Sequence, residues 1–239
     1  MHSPELPRRF FAEFLGTALL AAVVVGSGIA AQQLSPGDVG IQLLENSTAT
    51  VFGLTVLILM FGPVSGAHFN PVVTLAEWFL GRRNPEKLTL PVVGGYVTAQ
   101  VVGAICGSVL ANAMFEVGTN ISTKHRATNG HLLGEVVATA GLIALIFALV
   151  RTDRGALAAP AVGAYIGAAY WFTSSTSFAN PAVTLGRMFS DTFAGIAPAS
   201  APAFIAMQLI GLLIGLGVVL VLYPDVREHA DDAVIPHTH

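Results

Sequence analysis

Apolar residues run along this chain in long, nearly unbroken stretches separated by short polar segments, with no strand-like alternation. Six stretches reach the roughly 20 residues that a helix needs to cross a hydrocarbon core. They are Phe10–Ala31, Leu44–Phe61, Leu90–Phe115, Leu132–Val150, Ala156–Phe172 and Pro202–Leu222. Arg8 and Arg9 precede the first, as in a secretory leader, but its length and the enclosed Glu13 mark a retained helix. Two further apolar segments, 70–80 and 180–189, are too short to cross.

The short segments open almost identically, as Asn-Pro-Val-Val-Thr-Leu from Asn70 and Asn-Pro-Ala-Val-Thr-Leu from Asn180. The stretches that begin each half also match, with Glu13 four residues before Thr17 and Glu135 four before Thr139, one helix face in each case. Three crossings and a short segment, repeated, give halves of opposite orientation, because each half crosses an odd number of times. The predicted fold is an all-α membrane protein of six transmembrane helices and two re-entrant half-helices in an inverted repeat. Small residues such as Gly103, Gly107, Gly211 and Gly215 suit close helix packing.

Composition agrees with lipid as solvent. Of 239 residues, 54% are hydrophobic and 10% charged, against about 25% charged in a soluble domain, and the mean hydropathy is +0.70. The formal charge of −3 and the lack of a basic patch with interleaved aromatics give no sign of a nucleic-acid partner. One cysteine, Cys106, excludes an intrachain disulfide and a cysteine metal cluster; its glycine-rich surroundings suggest a buried packing role. His237 and His239 are too few for a metal site, and no cofactor is implied. Of the 11 Lys and Arg residues, Arg8, Arg9, Arg82, Arg83, Lys87, Arg151, Arg154 and Arg227 fall on one side; Lys124, Arg126 and Arg187 fall on the other. The positive-inside rule then makes both termini cytoplasmic.

Pro71 and Pro181 suit a first helical position, where the missing N–H has no partner to lose. The preceding Asn can cap the helix with its side-chain oxygen and keep its amide hydrogens for a passing solute. Half-helices entering from opposite faces bring Asn70 and Asn180 together near the midplane with two positive helix ends, which disfavours cations. A lone Asn-Pro is more often a turn; two in register within a membrane repeat are not.

The stretch from Ser65 to Thr74 (Ser-Gly-Ala-His-Phe-Asn-Pro-Val-Val-Thr) and Phe178-Ala179-Asn180-Pro181-Ala182 resemble the two signature boxes of the aquaporin, or major intrinsic protein, family. The resemblance covers about 10–222. It implies homotetramers with one pore per subunit and passive conduction of water or small uncharged solutes across a lipid bilayer. It places Asn70, Pro71, Val72, Asn180, Pro181 and Ala182 at the pore midplane, makes Glu13 and Glu135 braces for the re-entrant loops, and puts His68 near the cytoplasmic mouth. The expected organisation is a cytoplasmic N-terminus (1–9), one channel domain (10–222, halves 10–115 and 132–222) and a disordered cytoplasmic tail (223–239).

The filter departs from the family's pattern. Where most members carry Arg after the second Asn-Pro-Ala, this chain has Val183, and Val72 stands where the first box usually has Ala. Spacing from each Asn carries the constriction onto Thr50, Ala168, Ser177 and Val183; a gap would shift Ala168 to Ala169 or Tyr170. The aromatic, His and Arg of water-selective members are then all absent, so the expectation is a wide constriction without fixed charge. Arg187, one turn past Val183, either lends charge to an outer vestibule or reaches headgroups and caps the half-helix. With Val183, the run from Ala169 to Thr184 resembles the bacterial aquaglyceroporins associated with arsenic resistance. That resemblance implies passage of arsenite-like or methylated arsenic acids and glycerol-like polyols. An ordinary water channel is the alternative. An ion-coupled transporter is disfavoured, because Glu13 and Glu135 are the acidic candidates within the spans and both lie near helix starts. An enzyme is disfavoured because the spans carry no nucleophile–base constellation.

Overall fold

A computed structural model describes residues 4–81 and 88–224. Arg82, Arg83, Lys87, Arg227, His237 and His239, and the expected tail beyond 224, lie outside the described residues. Among the described residues, eight α-helices follow in order: α1 (Leu6–Leu34), α2 (Val39–Ser65), α3 (Pro71–Gly81), α4 (Leu90–Met114), α5 (Asn129–Arg151), α6 (Ala158–Phe172), α7 (Pro181–Gly186) and α8 (Ala201–Leu222). Single 3₁₀ turns lie at Gly155–Leu157 and Arg187–Phe189. Six helices are long and apolar enough to span a membrane, and α3 and α7 are the short pair.

Hydropathy placed the spans but not all their starts. Helix α2 begins at Val39, five residues before the predicted start, because Asp38 accepts from the Ile41 N–H and caps an exposed first turn. Thr128 likewise caps α5 through the His131 N–H. Gly66, with φ of +86°, ends α2 in the left-handed conformation that glycine adopts without strain.

The halves pack alike. Helix α1 lies against α2 and α4, α5 against α6 and α8, and α2 meets α6 between the halves. Close approach of backbones sets these contacts. A Cβ on Gly211 or Gly215 would fall 2.7 Å from the Val136 or Ala140 carbonyl of α5. Gly103 and Gly107 stand tighter still on the Phe14 and Ala18 carbonyls of α1. Cys106, expected to be buried, is exposed. It shares the outward face of α4 with Val102, Val109 and Leu110. In a membrane span an apolar neighbourhood does not distinguish core from lipid face.

Candidate functional site

Each short helix is preceded by a strained loop. Ala67 and Phe69 have φ of 49° and 50°, and Ser177 and Ala179, at the same offsets from Asn180, have 49° and 45°. Left-handed backbone at non-glycine residues costs about 1–3 kcal/mol each, so the loops need fixed partners. Glu13 accepts from the His68 and Phe69 N–H groups at 3.0 and 2.8 Å. Glu135 accepts from Phe178 and Ala179, both at 2.9 Å. Both carboxylates are fully buried. Thr17, paired with Glu13 by spacing, donates to the Glu13 backbone carbonyl and not to its carboxylate.

Two glutamines that the sequence reading missed complete these braces. Gln100 donates to Glu13 (2.7 Å) and Thr74 (3.0 Å), and Gln208 to Glu135 (2.6 Å) and Thr184 (3.0 Å). Each lies three residues before the first glycine of a Gly-x-x-x-Gly pair, at 100–107 and 208–215. That repeated Gln-x-x-Gly-x-x-x-Gly pattern is the signal that would have found them.

The loop tips lock together across the repeat. Asn70 Nδ2 donates to the Ala179 carbonyl and Asn180 Nδ2 to the Phe69 carbonyl, each at 2.8 Å. Asn70 Oδ1 accepts from Val72, and Asn180 Oδ1 from Ala182 and Val183, capping the short helices. One amide hydrogen of each Asn is thus spent on the opposite loop and one remains. Both Asn residues line an elongated cavity. Val72, Ala182, Pro71 and Pro181 are buried behind them and do not line it.

The remaining wall is built of i, i+4 stripes: Thr50, Leu54 and Ile58 on α2, Val162, Ile166 and Tyr170 on α6, Leu20 and Val24 on α1, Leu142 and Ile146 on α5. This geometry corrects the spacing-based placement of Ala168. It lies two residues short of Tyr170, on the far side of α6, and is exposed; Tyr170 takes the place on the wall. Thr50 Oγ1 and Tyr170 Oη are 3.2 Å apart. Thr50 gives its single proton to the Asn46 carbonyl at 2.8 Å, so Tyr170 is the donor between them and its oxygen keeps lone pairs free. Ser177 and Val183 also line the cavity.

Arg187 lines it too, and is 2% exposed. It reaches neither headgroups nor solvent beyond the wall. Its Nε donates to the Ala194 carbonyl, and its guanidinium lies 3.4 Å from the Phe178 ring centroid. Arg126 approaches the same ring at 5.3 Å. The tightening of α7 into the 3₁₀ turn at Arg187–Phe189 carries the side chain to the cavity. Arg187 and Tyr170 thus put a charged and an aromatic side chain on the same cavity wall as Thr50, Ser177 and Val183.

Further out, Lys124 Nζ and Arg126 Nη2 both donate to the Phe193 carbonyl, and Arg126 Nε to that of Gly195. Burial lowers the Arg126 pKa to about 10. Desolvation, then Arg126 and Arg187, lowers that of Lys124 to about 8, with Asp191 acting the other way. At the opposite end, His68 lines the cavity with Nε2 2.5 Å from Glu77 Oε2 and Nδ1 3.0 Å from Thr74 Oγ1. Thr74 donates to the Asn70 carbonyl and accepts from Gln100. His68 Nδ1 is therefore a donor, and Nε2 faces the Glu77 carboxyl.

The chain's similarities agree with this geometry. Residues 1–177 match the model of the family described as Major intrinsic protein. The aquaglyceroporin AqpS of Rhizobium meliloti is 48% identical over 217 residues, covering 90% of each chain. The glycerol uptake facilitator protein of Pseudomonas aeruginosa is 33% identical over 227 residues, covering 82% of this chain and 78% of its own. The aquaglyceroporin structure from Plasmodium falciparum superposes with a TM-score of 0.68 at 22% identity, over 93% of this chain and 99% of that one, which establishes the shared fold.

Proposed function

The chain belongs to the major intrinsic protein family, and from that premise we propose that it conducts glycerol-like polyols and arsenite or methylated arsenicals passively along the cavity between Asn70 and Asn180. It is a multi-pass membrane channel for small solutes, not an enzyme. The observation that carries the finer reading is the reciprocal pair of Asn hydrogen bonds. They fix one free amide hydrogen of each Asn on a wall that is otherwise mostly apolar. A solute oxygen gains two donors there, while the two helix N-termini disfavour cations and protons.

We assign the constriction to Thr50, Tyr170, Ser177, Val183 and Arg187, with His68 at the inner mouth. The working assembly is a homotetramer in the cell membrane with both termini cytoplasmic, which puts Lys124, Arg126 and Arg187 at the outer mouth. Similarity to an aquaglyceroporin and a glycerol facilitator supports polyols among the solutes. Arg187 and Tyr170 on the wall favour an ordinary water channel as the second reading.

Proteoliposome swelling and uptake with water, glycerol and arsenite, with and without an imposed proton gradient, tests this. Downhill flux of glycerol and arsenite, insensitive to the gradient, is expected. Accumulation driven by the gradient would overturn the channel reading, and flux of water alone would overturn the polyol and arsenite assignment.

A further inference from the structure

Beyond Arg187, the segment 122–126 lies across the loop that follows the second short helix. The Ser122 N–H donates to the Met188 carbonyl and the Ala197 N–H to the Lys124 carbonyl, both at 2.8 Å, so the backbone around Lys124 is held in place. Lys124 is exposed, yet its Nζ lies 5.2 Å from the Phe193 ring centroid and donates to the Phe193 carbonyl at 3.0 Å. Arg126 Nη2 donates to that same carbonyl at 2.9 Å. The shared acceptor keeps the two nitrogens within about 6 Å of one another, a range over which like charges disfavour protonation. Arg187 brings a third cation, since it and Arg126 both stand over the Phe178 ring. The anion facing Lys124 is Asp191, and it already accepts from Ser122 Oγ, the Thr123 N–H and Thr123 Oγ1.

These neighbours press the amine toward its neutral form. Burial, then Arg126 and Arg187, lowers its pKa to about 8, with Asp191 acting the other way. A neutral lysine amine is a nucleophile, and here it stays within reach of solvent. The cations that disfavour an ammonium also favour an anion carried on the same nitrogen. An acetyl group would leave Nζ uncharged and gain nothing from them. A carbamate puts a carboxylate one bond from Nζ, beside a guanidinium suited to carboxylates, with its outer oxygen in water.

We propose that Lys124 is a carbon dioxide site, where Nζ forms a reversible carbamate held among Arg126 and Arg187. The Nζ lone pair forms a bond to the carbon of carbon dioxide, and one C–O π pair moves onto oxygen. A proton leaves the nitrogen for water, so no oxidant, reductant or further reactant is needed. When Nζ leaves the Phe193 carbonyl, Arg126 Nη2 remains as its donor. Each event replaces a positive charge at this end of the cavity with a negative one and reverses its contribution to the local field. The site is separate from the conducting path and does not depend on which solute passes.

The chain has two lysines, Lys87 and Lys124, so every preparation carries its own reference. The full chain in proteoliposomes is equilibrated with carbon dioxide at fixed partial pressure over a pH series. Adducts are trapped by ethylation with a triethyloxonium salt and located by mass spectrometry. At about pH 7.5 the trapped fraction at Lys124 is expected to exceed that at Lys87 more than tenfold, as the lower pKa requires. It is expected to rise with pH through about 8. Arg126→Gln, which removes a cation and a carboxylate partner, is expected to lower it severalfold. No adduct on Lys124, or equal fractions at the two lysines, overturns the proposal. An unchanged fraction in Arg126→Gln overturns the cation cluster as its cause. Should that variant fail to fold, the comparison of the two lysines in the unmodified chain decides alone.

Discussion

Arg187 follows Val183 by four residues, one turn further along the second short helix, and both side chains stand on one cavity wall. The cation absent from the first position is thus present on the same wall, displaced outward. Placing a second Arg at 183 would set like charges at i, i+4 in a buried site, where they destabilise each other. Val183→Arg is expected to narrow the passage and lower the glycerol-to-water flux ratio at least about tenfold, or ~1.4 kcal/mol of differential barrier. Stopped-flow swelling reads both fluxes. An unchanged ratio would remove Val183 from the constriction.

Tyr170 and Ala168 lie two residues apart on α6 and on different faces, one lining the cavity and the other exposed. Tyr170→Ala is therefore expected to admit polyols longer than glycerol, with a severalfold gain in xylitol uptake. Ala168→Phe, despite its added bulk, is expected to stay within about twofold of the parent, the usual range for a surface substitution. The opposite ranking would restore the register expected from spacing alone.

The six spans, the repeat and the Asn-Pro tips were legible because each leaves a one-dimensional trace: hydropathy, spacing and identity. Tyr170 and Arg187 were not placed on the wall by the same means. Tyr170, named from spacing only as a position that a gap would select, continues the i, i+4 stripe from Val162 through Ile166 on α6, and spacing to Asn180 does not report which face of the helix a residue takes. Arg187 reaches it because α7 tightens into a 3₁₀ turn and Phe178 and the Ala194 carbonyl hold the guanidinium. Tyr170 also bonds Thr50, a partner distant in sequence. Gln100 and Gln208 were legible in principle, through the repeated glycine pattern beside them.

Glu13 and Glu135 make matching contacts, including a serine five residues before each Asn: Ser65 Oγ donates to Glu13 at 2.6 Å, and the Ser175 side chain bonds Glu135. Replacing either by Gln turns one acceptor oxygen into a donor facing a backbone N–H, leaving buried donors unpaired at about 1–3 kcal/mol each. Both Glu13→Gln and Glu135→Gln are expected to lower the thermal unfolding temperature of the detergent-solubilised protein and to reduce glycerol flux in parallel, because the strained loops lose their anchors. Normal stability with lost flux would mean that the carboxylates act on the solute rather than on the loops.

Lys124 gives a pH dependence whose sign can be worked out. Its pKa is lowered to about 8, by desolvation first and then by Arg126 and Arg187, so the folded protein releases this proton before the unfolded chain does. Between about 8 and the ordinary lysine value the unfolded state binds more protons, and stability rises with pH across that window. Function moves the other way, since the outer mouth loses a positive charge as pH passes 8 and its attraction for anions weakens. NMR titration of dimethylated lysines is expected to show one resonance with a midpoint near 8, abolished in Lys124→Gln. A Lys124 midpoint at the ordinary lysine value would show that the ammonium is neither desolvated nor faced by Arg126 and Arg187, and the positive outer mouth would then have to be redrawn without Lys124.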